Sequence, residues 1–190
     1  MKLIKISLAS ILASTALVAG KYNVDKSHWS VEFKVKHMMV SNVKGTFDDF
    51  KGSFEYDEKT NTLKSLNGLV QVASVNTANE KRDKHLRESD FFAAEQYPNI
   101  IFDLDEVKDD KAYGKLTMRG VTKDVVLDID TAGQTIKDPW GNTRTGFTLE
   151  GKINRFDYGI KYNSLLEAGG VAVGDMVKLT VEIQGILKKN

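Results

Sequence analysis

The chain of 190 residues contains no cysteine. Disulfides and thiolate metal sites are therefore excluded, and if the protein is exported its fold rests on its core alone. An exported form without cysteine also has no site for lipid attachment at a new N-terminus. Proline is equally scarce, with only Pro98 and Pro139. Pro98 stands just before an apolar strand pattern, where a missing N–H is tolerable. Pro139 lies in "KDPWGN", which has the chemistry of a hairpin turn. Neither sign of charge dominates: 27 Lys and Arg face 26 Asp and Glu. That balance gives no electrostatic reason to expect nucleic acid. The chain also lacks G-x-S-x-G, H-E-x-x-H and a phosphate loop. Gly169, Gly170 and Gly174 precede a strand pattern rather than a helix and read as a flexible loop. His28, His37 and His85 are the only histidines, and none has a second good ligand at local spacing, so no metal site is expected. The acid pairs Asp48/Asp49 and Asp109/Asp110 read as turn or strand-edge residues. No catalytic residue is assigned.

What is present begins with "MKLIKISLASILASTALVAG", residues 1–20. Lys2 and Lys5 precede an apolar run from Ile6 to Val18, with small residues at Ala19 and Gly20. This is the pattern of a cleaved secretory signal peptide, too short in its apolar part for a membrane span. A cut before Lys21 is expected, with an earlier one after Ala16 as the alternative. Its removal takes away two lysines, leaving 25 basic and 26 acidic residues in a single domain over 21–190. The expected location is the periplasm, or outside the cell.

The remaining chain alternates apolar and polar residues about eight times. Val31, Phe33 and Val35 alternate with Glu32, Lys34 and Lys36; Val177, Leu179, Val181 and Ile183 alternate with Lys178, Thr180, Glu182 and Gln184. This is the pattern of antiparallel strands with one buried face. Glycines within the patterns, such as Gly52, Gly114, Gly146 and Gly151, suit a strongly curved sheet. An all-β closed barrel of about eight strands is expected, with a two-sheet sandwich as the alternative. One interval breaks the rhythm. "TANE" at 77–80 reads as a capping box with Thr77 as N-cap, and Glu80–Lys84 and Asp83–Arg87 are helical acid-to-base pairs. A helical insertion around residues 78–93 follows, anchored by Leu86 and ending in Phe91 and Phe92.

Aromatics and methionines are the other notable feature. A barrel of eight strands either fills its interior or holds one small apolar ligand, and flexible Met beside flat Phe suits a hydrocarbon. The candidates for an apolar channel are Phe33, Val35, Met38, Met39 and Phe54 early in the chain. Phe91, Phe92, Phe102, Leu116 and Met118 continue the set. Phe147, Leu149, Phe156, Tyr158 and Met176 complete it. Head-group candidates at the mouth are His28, Arg82, His85 and Asp157.

Five blocks carry a resemblance: "DKSHWSVEFKVKH" at 25–37, "VKGTFDDFKGSF" at 43–54, "RDKHLRESDFFAAEQYPNIIF" at 82–102, "GKLTMRGVTKDVVL" at 114–127 and "DPWGNTRTGFTLEGKINRFDYGI" at 138–160. Over Tyr22 to Lys188 the chain resembles the YceI-like family of periplasmic proteins that bind polyisoprenoids or other lipids. The resemblance implies a lipocalin-like eight-stranded antiparallel β-barrel with a helical insertion and a long apolar ligand in its interior. It implies no catalytic residue and no cofactor beyond a non-covalently bound isoprenoid or fatty-acid-like lipid. Other readings are an enzyme acting on a bound lipid, with Asp157, Tyr158 and His28 as its polar residues, and a secreted stress or interaction protein. Homodimer contacts would use exposed strand edges or apolar loops.

Overall fold

A computed structural model describes residues 19–165 and 169–189. Residues 1–18, and with them most of the expected signal segment, lie outside the described residues.

The chain forms a closed antiparallel barrel with eight positions in its wall. Strand β1 (Gly20–His37) turns into β2 (Ser41–Phe47) and β3 (Phe50–Asp57). These two together make one wall position: β2 pairs with the second half of β1, and β3 with its first four residues. The wall continues through β4 (Thr62–Gln71) and, after the short β5 (Val75–Asn76) and helix α1 (Glu80–Arg87), through β6 (Asn99–Lys108). Next come β7 (Lys111–Met118), β8 (Val121–Thr131), the two-residue β9 (Ile136–Lys137), β10 (Thr143–Asn154) and β11 (Val173–Leu187). The ladder between β11 and β1, from Tyr22↔Leu187 to His37↔Val173, closes the ring. Closure removes the free edges that a flat sheet would expose. Among the described residues, no helix is long and apolar enough to cross a membrane.

The two ends of the barrel differ. One end, here the lid end, carries the β1–β2 turn, the segment with α1, the β7–β8 turn and the β10–β11 loop. The other, the base, carries the β3–β4, β6–β7 and β8–β10 connections together with Gly20 and Leu187 at the ends of the wall. The base half is packed solid. Tyr22 stacks on Phe54 at 5.1 Å, and Phe54 meets Phe147 edge-on at 5.1 Å. Tyr22, Tyr56, Leu63 and Ile183 are buried around them. Gly185 makes this possible, because a Cβ there would run into the Phe54 ring.

One bulge interrupts the closing ladder. Val24 pairs with Gly185, but the next pair is Trp29 with Ile183, so Asp25–His28 loop out of register. Arg144 holds this bulge. Its Nη1 donates to Asp25 and, at 2.9 Å, to Gln184, while its Nε donates to Asp138 at 2.7 Å. Asp138 also accepts from the backbone N–H groups of Trp140 and Asn142, shaping the turn around Pro139.

The helix starts later than the sequence pattern suggests. Asn79, not Thr77, is the N-cap, accepting from the Arg82 N–H at 3.0 Å. Thr77 instead donates its N–H and hydroxyl to the buried Asp83. Asp83 therefore faces inward to hold the chain that enters the helix, and is not paired with Arg87. The expectation of a Thr77–Glu80 box failed because Asn79 lies two residues closer to the first free helical N–H groups and satisfies them equally well.

Candidate functional site

Beneath the lid, the upper half of the barrel holds a cavity of about 160 Å³. Each wall strand supplies inward residues at period 2. Val31, Phe33 and Val35 come from β1, Phe47 and Phe50 from the β2–β3 position, and Val70 from β4. Ile100 and Phe102, Leu116 and Met118, and Val125 and Leu127 come from β6, β7 and β8. Leu149, Ile153, Val177, Leu179 and Val181 complete the ring from β10 and β11. The roof is Leu86, Phe91 and Phe92 with Ile160 and Val173. The surface facing the cavity is apolar almost throughout. Close approach matters here too: Phe33 lies over Gly45, where any Cβ would strike its ring.

The roof is fastened at several points. Phe92 meets Phe47 edge-on at 5.6 Å. Phe91 packs on Tyr162 at 4.7 Å and on the His85 ring at 4.9 Å, and His85 meets Tyr162 at 5.0 Å. His85 Nε2 lies 2.7 Å from Asp90. Arg119, in the β7–β8 turn, donates to the carbonyls of Ser89 and Phe91. Phe91 and Phe92 are thereby held between the cavity and the loops of the lid end.

The sequence-predicted residues divide into three groups. Phe33, Val35, Phe91, Phe92, Phe102, Leu116, Met118 and Leu149 line the cavity. Phe54, Phe147 and Tyr158 are buried but do not line it. The first two fill the base, and Tyr158 packs with Leu116, Met118, Ile153 and Ile160, which themselves line the cavity. Burial and the nearby Asp157 carboxylate push the Tyr158 hydroxyl up to about 12, so it stays protonated at physiological pH. Met38, Met39, Phe156 and Met176 do not line the cavity at all; their exposures of 48%, 56%, 39% and 45% place them on the surface. Met38 and Met39 form a turn tip, Phe156 lies under the Arg155 guanidinium at 4.5 Å, and Met176 faces outward from β11.

The head-group candidates do not converge. His28 lies in the β1 bulge on the outer wall, 3.0 Å from Asp25. Arg82 donates to the Thr77 hydroxyl at 2.7 Å and carbonyl at 2.9 Å. Asp157 is exposed. His85 alone touches the roof, through Phe91. His85, Glu88 and Asp90 bring three ligand-type atoms within 4.8 Å of one another, at the surface.

The channel expected from the sequence also omits lining residues such as Phe47, Phe50, Ile100, Leu127, Ile153 and Leu179, which alternation alone could have supplied, and it omits Arg155, which has no such signal. Arg155 is only 3% exposed and borders the cavity. Its guanidinium donates to the carbonyls of Gly174, Ile160, Tyr162 and Val173 at 2.7–3.1 Å. Burial lowers its pKa, opposed by Asp175. With the charged head turned into the loop, the cavity keeps its apolar surface.

The YceI-like domain family matches residues 22–185. The chain belongs to the YceI-like family. A curated relative, UPF0312 protein SA2479 of Staphylococcus aureus, is 40% identical over 158 residues, covering 83% of this chain and 92% of the relative. The crystal structure of the Campylobacter jejuni YCEI protein is 30% identical, covers 98% of this chain and all of that one, and superposes with a TM-score of 0.69. A polyisoprenoid binding domain from Saccharophagus degradans shares the barrel at a TM-score of 0.61, over 90% of this chain and 99% of that one, with 13% identity. At that identity the likeness concerns the fold alone.

Proposed function

We propose that this YceI-like barrel is a periplasmic carrier that holds the tail of an isoprenoid or other long amphiphilic lipid beneath its lid, without covalent chemistry. The observation that carries this reading is the apolar cavity beneath the lid. Leaving 160 Å³ unfilled costs about 4 kcal/mol at ~24 cal/mol per Å³. An apolar cavity of this kind stays dry, so water does not recover that cost, whereas a hydrocarbon does. Each methylene transferred from water adds about 0.8 kcal/mol before ordering and association costs.

The same wall argues against catalysis within the cavity. The surface facing a buried tail is apolar almost throughout, and Glu32 and Arg155 are the ionisable residues that border it. His28 and Asp157 lie at the surface, and Tyr158 is buried among Leu116, Met118, Ile153 and Ile160 without lining the cavity. A polar head group taken inside would lose its hydration without a partner, so the head stays at the lid end, near His85 and Tyr162. The N-terminal pattern supports export to the periplasm.

Titration of delipidated protein with a long-chain isoprenoid alcohol tests the reading. Saturable binding of one ligand per chain is expected, with a rise in Tm that grows with ligand concentration. Phe91→Ala and Phe92→Ala together are expected to weaken binding more than a surface control such as Met176→Ala. Linear, non-saturating uptake with an unchanged Tm would rule the carrier reading out.

A further inference from the structure

The lid end carries an apolar surface that the cavity does not use. The β1–β2 turn is closed by the Val40 N–H donating to the His37 carbonyl at 3.2 Å, with Met38 and Met39 as its two central residues. Both have positive φ, 48° and 62°, in a turn whose backbone favours Asn-Gly. Methionine gains nothing there from local conformation, and both side chains are about half exposed. Val40 and Leu165 are 84% and 87% exposed. The Met38 N–H donates to Ala172 at 2.8 Å, and Met39 lies against Gly170, so the turn and the β10–β11 loop form one patch. The patch adjoins the cavity wall, because Val35, three residues before Met38, and Val173, next to Ala172, line the cavity.

Behind this rim lies a row of like charges. Lys34 stands directly opposite Lys44 on one side and Lys178 on the other, and Lys178 stands opposite Lys152. Four lysines thus span β2, β1, β11 and β10 on the outer face. Like charges in directly opposed positions destabilise a sheet. Lys178 reaches Glu150 at 2.9 Å, while no carboxylate among the described residues pairs with Lys34, Lys44 or Lys152. The next row toward the base holds Glu32 and Glu150, each opposite Thr180. Met176 lies on the same outer face as Lys178, two residues nearer the rim. From rim to base the Met38–Val40 tip is followed by Lys36 and the lysine row, and then by Glu32 and Glu150, with Asp175 an exposed acid beside Met176. Lys34 stands about 13 Å behind Met38 at ~3.3 Å per residue.

We propose that this rim, with the lysine row behind it, docks on an anionic phospholipid membrane, the apolar turn entering the interface and the lysines meeting lipid phosphates. A bilayer supplies both an apolar interior for Met38, Met39 and Val40 and a negative surface for the row. Docking there sets the cavity against the hydrocarbon layer, so a tail passes across without crossing water. That last step rests on the proposed carrier function; the docking does not.

Flotation of the full chain with phosphatidylcholine vesicles, with and without phosphatidylglycerol, tests the proposal. Partitioning onto the anionic vesicles is expected, and its loss at high salt. Lys34→Gln, Lys44→Gln and Lys152→Gln should each weaken it about fivefold. Met38→Asn with Met39→Gly suits the turn and leaves the fold intact, and should abolish vesicle binding. Equal partitioning onto both kinds of vesicle, none onto either, or undiminished binding by the folded Asn-Gly variant overturns the proposal. Native mass spectrometry of the same samples separates the two ideas: retained lipid without vesicle docking overturns docking alone, and docking without any retained lipid overturns the carrier reading alone.

Discussion

Arg144 is a half-buried cation and Arg155 a buried one, and the fold balances them differently. Arg144 faces two carboxylates and Arg155 faces four carbonyls. The Asp25 carboxyl is lowered to about 2, chiefly by the Ser27 backbone N–H and then by Arg144. Burial pushes Asp138 up, but hydrogen bonds from Arg144, Asn142 and backbone N–H groups outweigh it and hold that carboxyl well below the usual range. Both folded values lie below the unfolded value of about 4. Their contribution is therefore complete above pH 4 and is lost as pH falls through the folded values. Arg144→Gln should lower Tm at neutral pH, and the gap to wild type should narrow as pH falls from about 4 toward 2. A gap that stays constant in Tm measurements across that window would contradict the assignment. Arg155→Met removes the donor from four loop carbonyls and should cost about 3 kcal/mol or more in denaturant unfolding.

Among the elements, the lid is the one whose stability should separate from the rest. Arg119 ties the carbonyls of Ser89 and Phe91 to the β7–β8 turn. Arg119→Ala should raise hydrogen exchange over residues 88–94 and speed lipid release, while global Tm changes little. Uniform loss of protection across the barrel would instead make the lid part of the core. The turn tip is the opposite case. Two methionines at positive φ cost about 1–2 kcal/mol each relative to a residue that tolerates that region, so Asn-Gly at 38–39 should raise Tm. The strands were legible from sequence because alternation reports which face a residue takes. Alternation is silent about height along the barrel. Phe54 and Phe102 therefore read alike, although one fills the base and the other borders the cavity. Met38, Met39 and Met176 misled because residue type suggested an interior that their turn and outward positions deny. Arg155 left no signal, since carbonyl partners are not encoded in neighbouring side chains. Thr77 and Asn79 are equally good caps, and only the path of the chain decides between them.

For the molecule as a whole, the notable feature is a barrel that is solid at one end and hollow at the other. Truncation should respond to that division. Phe54→Ala in the base should cost about 3–5 kcal/mol, and Phe102→Ala less in the delipidated protein, because one side of the Phe102 ring already borders empty space. Equal costs in chemical unfolding would argue that the hollow half is filled by side chains in solution. A tail in the hollow half adds stability by linkage, about 2.7 kcal/mol at a hundredfold excess over Kd, so stripping the lipid should lower Tm. The central claim is that the cavity holds a hydrocarbon tail, and native mass spectrometry of gently purified protein tests it most directly. The account predicts one adduct per chain, released on denaturation as an amphiphile with a long hydrocarbon tail. The bare polypeptide mass alone, or an adduct without such a tail, would contradict it.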